Sequence, residues 1–472
     1  MNQIFSISAL ALAVLVAGCA SSDHYASQVP PIEIPAEYGR GTALSNASVE
    51  ALAMLPPLDA ERSSDVRKDP WWHSFGDKRL ARMVDHSLTV NANLTAAGFA
   101  LRRARLEARM TSNDLFPQPV ARLEGSATRE LDGGGSSARS HRVNVGLNWE
   151  VDLFGRLAAQ RDVQTWGAQA SADDLQATAL ALVGDVCRYY WMLAYLNQSI
   201  HAGEQDLAAL ERILQLVEVQ HREGDVSRLE PREAQQRLES QRAAQGALVQ
   251  QRVEVRNALT VLLDGRPWPQ QDEPQSLQHL DALMVREGVP AELLGRRPDL
   301  RAAERRLRAS LVNVDATVLS YYPSLSLTGS MGGSSAALSD VLRHPAGMLG
   351  ASLNLPFINV ERMRISTETA GVTYLKAASE FRTTLHIAFQ EVDNALSARE
   401  RLQDQRNARQ RSYQAAGDVA RMYEARYREG ASALRTWLDA QQELRSSELA
   451  LAQVLRDQVG NDVKLALALG GS

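Results

Sequence analysis

Val143, Val145, Leu147, Trp149, Val151 and Leu153 alternate with Arg142, Asn144, Gly146, Asn148, Glu150 and Asp152. A period of two over this length predicts a strand with one apolar and one polar face. A second run places Leu349, Ala351, Leu353, Leu355 and Phe357 between small or polar residues. Weaker alternation over Val120–Arg129 and Ser324–Gly332 predicts two partner strands, and Gly133–Ser137 and Gly332–Ser335 read as the loops between strands. Elsewhere the period is helical. From Ala158 to His221 and from Arg362 to Glu429 there is no proline and little glycine. Continuous helices over those spans are roughly 95–100 Å long at 1.5 Å per residue. Leu207, Leu210, Leu214 and Val217, and later Trp437, Leu444 and Leu451, include the seven-residue spacing of coiled-coil packing. A shorter helix is predicted over Asn91–Asp114, stopped at Phe116-Pro117, because proline disfavours helix in the residue before it. Tyr322-Pro323 stops its counterpart.

The two halves of this pattern match at one offset. Pro117 and Pro323 lie 206 residues apart, as do Leu94 and Leu300, Asn148 and Asn354, Arg222-Glu223-Gly224 and Arg428-Glu429-Gly430, and Gly265 and Gly471. The chain therefore reads as two copies of one unit with almost no net insertion between them. Equivalent units repeated about an axis suit a tube. The expected division is 71–265 for the first repeat, 266–296 for an equatorial segment between repeats, and 297–472 for the second repeat.

One alternating strand is as well explained by a soluble hairpin resting on a core. Four of them, matched by the repeat, suit a membrane barrel with lipid outside and water inside. Four strands are too few to close a barrel, and an open sheet edge cannot face lipid. A membrane reading thus requires several chains to share one barrel.

Composition and the N-terminus sharpen this. Aromatic residues are only 6% of the chain, and the net charge of −5 gives no basic excess for nucleic acid. Residues Ile4 to Ala17 form an apolar run too short for a mature spanning helix, which suits a signal-peptide core over 1–18. The run ends in Val16-Ala17-Gly18-Cys19, which resembles a bacterial lipobox with Cys19 as the acylated residue. An ordinary signal peptide with an incidental cysteine is the alternative, and the start Met1-Asn2-Gln3 lacks the usual basic residue. Ala20 after the cysteine is not aspartate, which by the same resemblance favours the outer membrane. Residues 19–70, with Pro30-Pro31, Pro35 and Pro56-Pro57, read as an extended segment leading away from the anchor. Cys187, in a helical pattern, reads as a small buried hydrophobe.

Several segments in order then carry a resemblance. They are Trp149-Glu150-Val151-Asp152-Leu153-Phe154-Gly155-Arg156, Arg297-Pro298-Asp299-Leu300-Arg301-Ala302-Ala303-Glu304, Tyr322-Pro323-Ser324-Leu325-Ser326-Leu327-Thr328-Gly329 and Leu467-Ala468-Leu469-Gly470-Gly471. From about Trp71 to Gly471 the chain resembles the TolC/OprM-like outer membrane efflux proteins, in particular their lipoprotein branch. The resemblance implies an α+β membrane protein: a homotrimer with a 12-stranded β-barrel in the outer membrane, continuing into a periplasmic α-helical coiled-coil barrel. It implies a periplasmic adaptor and an inner-membrane transporter as partners, the latter proton-driven rather than ATP-driven, and outer membrane lipid around the barrel.

It also implies roles for residues at the far end of the helices. Gly224, Asp225, Val226 and Ser227, and Gly430, Ala431, Ser432 and Ala433, match the tip turns that meet the adaptor. Tyr427 and Glu230 match residues that bridge helices in the closed state. Asp439 matches an aspartate whose copies narrow the pore, and a ring of like charges there would attract cations and raise its own pKa values. Thr436 and Ser432 depart from the pattern, standing where a second aspartate and a latch arginine occur, so the latch is expected to be wired differently, through Arg435. Without the resemblance, Asp439 is an ordinary solvated helix residue.

Little in the sequence suggests catalysis. The nine histidines are scattered, with no metal-protease or Cys-x-x-Cys spacing, and no cofactor or metal is expected. Asp173-Asp174 reads as a solvated helix face. Two classes of function remain: an efflux conduit for small molecules such as drugs, and a periplasmic coiled-coil lipoprotein of adaptor or structural type. An adaptor has no use for four alternating strands of membrane length. The lipobox tilts the cargo toward small molecules, and the lack of Met- or His-rich tracts speaks against a dedicated metal exporter.

Overall fold

The computed structural model describes residues 21–28, 32–35, 44–47, 70–129, 137–277 and 293–471. Its elements in order are α1 (Ser21–Ala26), β1 (Ile32–Pro35), β2 (Leu44–Ala47), α2 (Lys78–Val90), α3 (Ala92–Asn113), β3 (Gln118–Arg129), β4 (Ser137–Val151), α4 (Arg156–Glu223) and α5 (Leu229–Leu262). Then follow α6 (Pro298–Leu319), β5 (Ser324–Ser335), β6 (Ala346–Asn354), α7 (Val360–Arg428) and α8 (Leu434–Ala468). Cys19 and Gly133 to Ser136 lie outside the described residues.

Strands β3 to β6 form one antiparallel sheet in the order β3-β4-β5-β6. Leu123 faces Val143, Val143 faces Gly333, and Leu147 faces Gly329, which faces Leu349. Directly opposed residues share a face. Leu123, Val145, Leu147, Trp149, Leu327, Met331, Leu349 and Leu353 therefore all lie on one side, with Arg122, Glu124, Asn144, Asn148, Ser326 and Thr328 on the other. The apolar side is uncovered in the single chain: Leu349 is 92% exposed and Leu123 is 73% exposed. No helix of the described residues is long and apolar enough to cross a membrane.

The sheet departs from the sequence reading at two places. Gly332 to Ser335 continue β5, paired with Asn144 to His141, and are not a loop. A side chain at Gly332 would come within 2.1 Å of the Val143 carbonyl oxygen, and one at Gly333 within 1.9 Å of that of Val341. These glycines permit close backbone approach, and pairing with the long β4 carries the strand through them. At the other ends, Leu153 and Phe357 fall beyond the strands, because Asp152 and Pro356 begin corners there.

The corner from β4 into α4 explains the Glu-Val-Asp-Leu-Phe-Gly-Arg segment. Asp152 accepts the Leu157 and Ala158 amides at 3.0 and 2.9 Å, supplying two helix-start donors with an acceptor. Arg156 pairs with Glu150 at 2.7 Å, and Gly155 turns with φ of 80°. From that corner α4 runs 68 residues without a break, and α7 runs 69. At 1.5 Å per residue each is about 100 Å long, which carries their far ends well away from the sheet. Helices α5 and α8 return alongside them.

Three clusters hold the helices together. Trp71, Trp72, Phe75 and α2 pack on the middle of α4 and the ends of α5 and α8, with Cys187 buried among them. Asp77 caps α2 through the Arg79 and Leu80 amides and takes the Tyr190 hydroxyl at 2.5 Å. Burial pushes both the Cys187 thiol and the Tyr190 phenol up. A second cluster joins α6, α7 and the end of α8. Tyr25 of α1 packs on it against Gly371. The segment expected to be extended thus contains a helix and the β1–β2 pair. The physical reason is local: Tyr25 is the one large aromatic near the start of that segment, and α6 and α7 leave a face for it.

Asp173 corrects the other reading. It is buried, not solvated, and joins α4 to α6. Arg301 reaches it at 3.0 Å and Arg305 at 2.8 Å, while Arg301 also bonds Gln176. Its neighbour Asp174 does lie nearer solvent, where it pairs with Arg306. Arg297, also buried, forks onto Asp299 and Glu391 and caps the Ala468 carbonyl at the end of α8. The Arg-Pro-Asp-Leu-Arg segment is thus the ionic joint between the halves.

Candidate functional site at the helical tip

Helices α4 and α7 end in the same way. Gly224 and Gly430 take φ of 87° and 73°, the left-handed region that glycine tolerates best. The Asp225 amide donates to Gln220 at 2.9 Å and the Gly224 amide to His221 at 3.2 Å. At the second turn Ala431 donates to Arg426 at 2.8 Å and Gly430 to Tyr427 at 3.0 Å. This is the Schellman closure, which satisfies the last helix carbonyls. Alanine at either glycine is expected to destabilise its turn by about 1 kcal/mol or more. Amide exchange should then speed up around 218–234 or 424–438 alone; unchanged protection at the altered turn would contradict this.

Around these turns Leu210, Ile213 and Val217 of α4, Ala234 and Leu238 of α5, and Leu434, Trp437 and Leu438 of α8 form a third cluster. Val226 and Tyr427 pack on it. Gly224, Asp225, Ser227, Gly430, Ala431 and Ala433 are exposed, while Val226 and Ser432 are half-buried. The adaptor-contact candidates therefore form two adjoining exposed turns on one apolar core.

Four of the gate candidates fall into three separate arrangements, and Thr436 stands apart. Tyr427 stacks on Trp437 at 5.2 Å between centroids and donates its hydroxyl to Gln220 at 3.0 Å, tying α7 to α4. Glu230 instead receives the Ser227 hydroxyl at 2.5 Å, and Ser227 accepts the Leu229 amide at 3.1 Å. Ser227-Arg228-Leu229-Glu230 has capping-box spacing, and this hydrogen bond holds the Glu230 carboxyl below its usual range. Asp439 forms an ion pair with Arg237 of α5 and lies 3.8 Å from Arg435. Thr436, half-buried, sits in the turn that opens α8, its amide bonded to Ala433 at 3.2 Å.

Arg237 and Gln220 are the residues the sequence reading missed. Arg237 gives Asp439 an opposite charge within the same chain, so the carboxylates here are not bare like charges. The position 206 residues after Arg237 is Glu443, so the internal match gave no hint of the pair.

Further up the helices, Asp206 of α4 faces the buried Arg445 of α8 at 3.5 Å. Burial pushes Asp206 up to about 6; Arg445 pulls it down and Glu448 pushes it up. Burial also raises Glu448 and the neighbouring Tyr413 phenol. A carboxyl raised on folding contributes stability that is full below its unfolded value near 4 and is lost as pH rises through about 6. The melting temperature of wild type, relative to Asp206→Asn, should therefore increase from pH 7 to pH 5. A flat difference over that interval would contradict the raised value.

The family model described as outer membrane efflux protein matches twice, over 83–265 and 289–471. The chain belongs to the outer membrane efflux protein family. It is 28% identical to the toluene efflux pump outer membrane protein TtgC of Pseudomonas putida, over 98% of this chain and 95% of that protein. It is 27% identical to the pyoverdine export outer membrane protein OpmQ of Pseudomonas putida, over 91% and 94%. The open state of the MtrE outer membrane channel of Neisseria gonorrhoeae superposes with a TM-score of 0.80 at 27% identity, covering 94% of this chain and 97% of that one. This outer membrane efflux protein belongs to the outer membrane, with its long helices in the periplasm.

Proposed function

We propose that this family member is the exit duct of a tripartite efflux pump, passing small molecules such as drugs from periplasm to exterior through a gated trimeric tube. Three chains supply twelve strands to one barrel and continue as a coiled-coil helical barrel. The repeats are 71–265 and 297–472, joined by 266–296. Cys19, after a signal peptide over 1–18, carries the lipid, and 19–70 leads from it. Barrel lipid, a periplasmic adaptor at the tip turns and a proton-driven inner-membrane transporter complete the setting. Asp439, Tyr427, Glu230, Thr436 and Arg435 form the gate region, with Arg237 and Gln220 as their partners.

One observation carries this reading: a four-stranded sheet with an apolar face, a polar face and two unpaired edges, at one end of helices about 100 Å long. Such edges cannot face lipid, so the sheet is completed by other chains. A periplasmic adaptor-like lipoprotein would leave that apolar face without purpose. The test is ethidium accumulation in cells lacking this chain. Accumulation should rise, and re-expression should restore export. Restored export by a variant lacking 118–151 and 324–354 would instead favour the adaptor-like alternative.

A further inference from the structure

The apolar side of the sheet changes chemistry at one end. On that side β4 runs, from the helical end outward, through Val151, Trp149, Leu147, Val145, Val143, His141, Arg139 and Ser137. Beside it β3 ends on Ala127, opposite Arg139, and Arg129, opposite Ser137. There β5 and β6 present only Leu, Met, Ala and Gly until Ser335. Among the described strand residues this side therefore holds no carboxylate, and Arg129, Arg139 and His141 are its basic groups.

All three sit together at the end farthest from the helices. Arg129 is diagonal to Arg139 across the hairpin, a separation of about 7–8 Å, and His141 follows Arg139 by about 6.7 Å along the strand. Arg129 and Arg139 are exposed, and no carboxylate of the described residues pairs with either. Arg142, on the polar side, does face Glu124, at 3.8 Å. Nor is the cluster a feature of the repeat: 206 residues further on stand Ser335, Pro345 and Gly347. Like charges this close repel unless an anion lies between them.

The height of the cluster names the anion. At about 3.4 Å per residue and a tilt near 40°, His141 is roughly 26 Å and Arg139 roughly 31 Å above Val151. The apolar band of a membrane barrel is roughly 25 Å tall. The cluster thus begins where hydrocarbon ends, and long arginine side chains reach outward from such positions into the headgroups. At the helical end the sheet instead meets aromatic rings, Trp149 and the Phe154–Tyr322 contact.

We propose that Arg129, Arg139 and His141 bind the phosphate groups of outer-leaflet lipid, one site per chain. The proposal rests on the barrel reading above. Guanidinium forks offer paired donors that match phosphate oxygens, and the His141 ring adds another. Leu123 and Val143, next on the same side, give the acyl chains an apolar surface. A phosphorylated lipid satisfies both parts of this surface, whereas soluble phosphate satisfies one.

The test titrates the purified full chain, in uncharged detergent, with lipid A, a bisphosphorylated glycolipid, and counts bound lipid by native mass spectrometry. Arg129→Gln with Arg139→Gln should weaken binding roughly ten- to thirtyfold. Arg122→Gln with Arg142→Gln removes the same charge from the polar side and should leave binding at the wild-type level. Dephosphorylated lipid A should bind wild type as weakly as lipid A binds the first variant. Unchanged binding by the first variant, an equal loss in the second, or equal binding of the dephosphorylated lipid would overturn the proposal. So would displacement by excess inorganic phosphate alone. The same spectra report the particle: a trimer that takes up no lipid sinks the site and leaves the barrel, whereas a monomer without lipid sinks both.

Discussion

Asp173→Ala is expected to destabilise the protein by about 3–5 kcal/mol, the range for breaking a buried ion pair from one side. The cost arises from what remains. Arg301 and Arg305 stay between α4 and α6, where Arg301 is 5% exposed, and both lose their carboxylate. Gln176 and the Gly295 carbonyl still accept from Arg301 but do not neutralise it. Asp174→Ala one residue along is the control. Its pair with Arg306 is about half exposed, and such pairs contribute roughly 0–1 kcal/mol. Chemical denaturation of both variants in detergent checks the pair of values. Equal, small losses would mean that the joint between the halves is not ionic.

Arg237→Ala and Asp439→Ala are expected to change conduction together and selectivity apart. Their ion pair ties α5 of the first hairpin to α8 of the second. It is partly exposed, so solvent screening limits it to roughly 0.2–1 kcal/mol. In the proposed trimer, with the pair made only in the closed tip, three copies give about 1.5 kcal/mol, or roughly a tenfold shift in the ratio of open to closed tips. Both substitutions should raise open probability by that order. On the proposed gate, removing Asp439 deletes negative charge from the pore and should weaken cation preference; removing Arg237 exposes that charge and should strengthen it. If neither variant changes opening, the tip is held instead by Tyr427, Gln220 and the Trp437 stack.

Much of this architecture is legible in the sequence for a physical reason. A strand between two solvents must alternate, so Val143 to Val151 declare themselves residue by residue. A helix about 100 Å long must exclude proline, and its end must admit a left-handed residue, so Gly224 and Gly430 stand out. The misreadings share a different cause. Asp173 looks solvated because its partner Arg301 lies 128 residues along the chain, and nothing local distinguishes a buried carboxylate from an exposed one. Gly332 and Gly333 look like a loop because their strand character is conferred by β4. Arg237 is invisible for the same reason as Gln220: each acts on a residue about 200 positions away, on the other hairpin. Periodicity reports the solvent around an element, whereas pairing across elements is a property of the fold.

The most direct test of the central claim is single-channel recording of the purified protein in a planar bilayer, with its native mass measured in the same preparation. The account predicts discrete, cation-selective openings from a particle of three chains. A monomer that never conducts would contradict it.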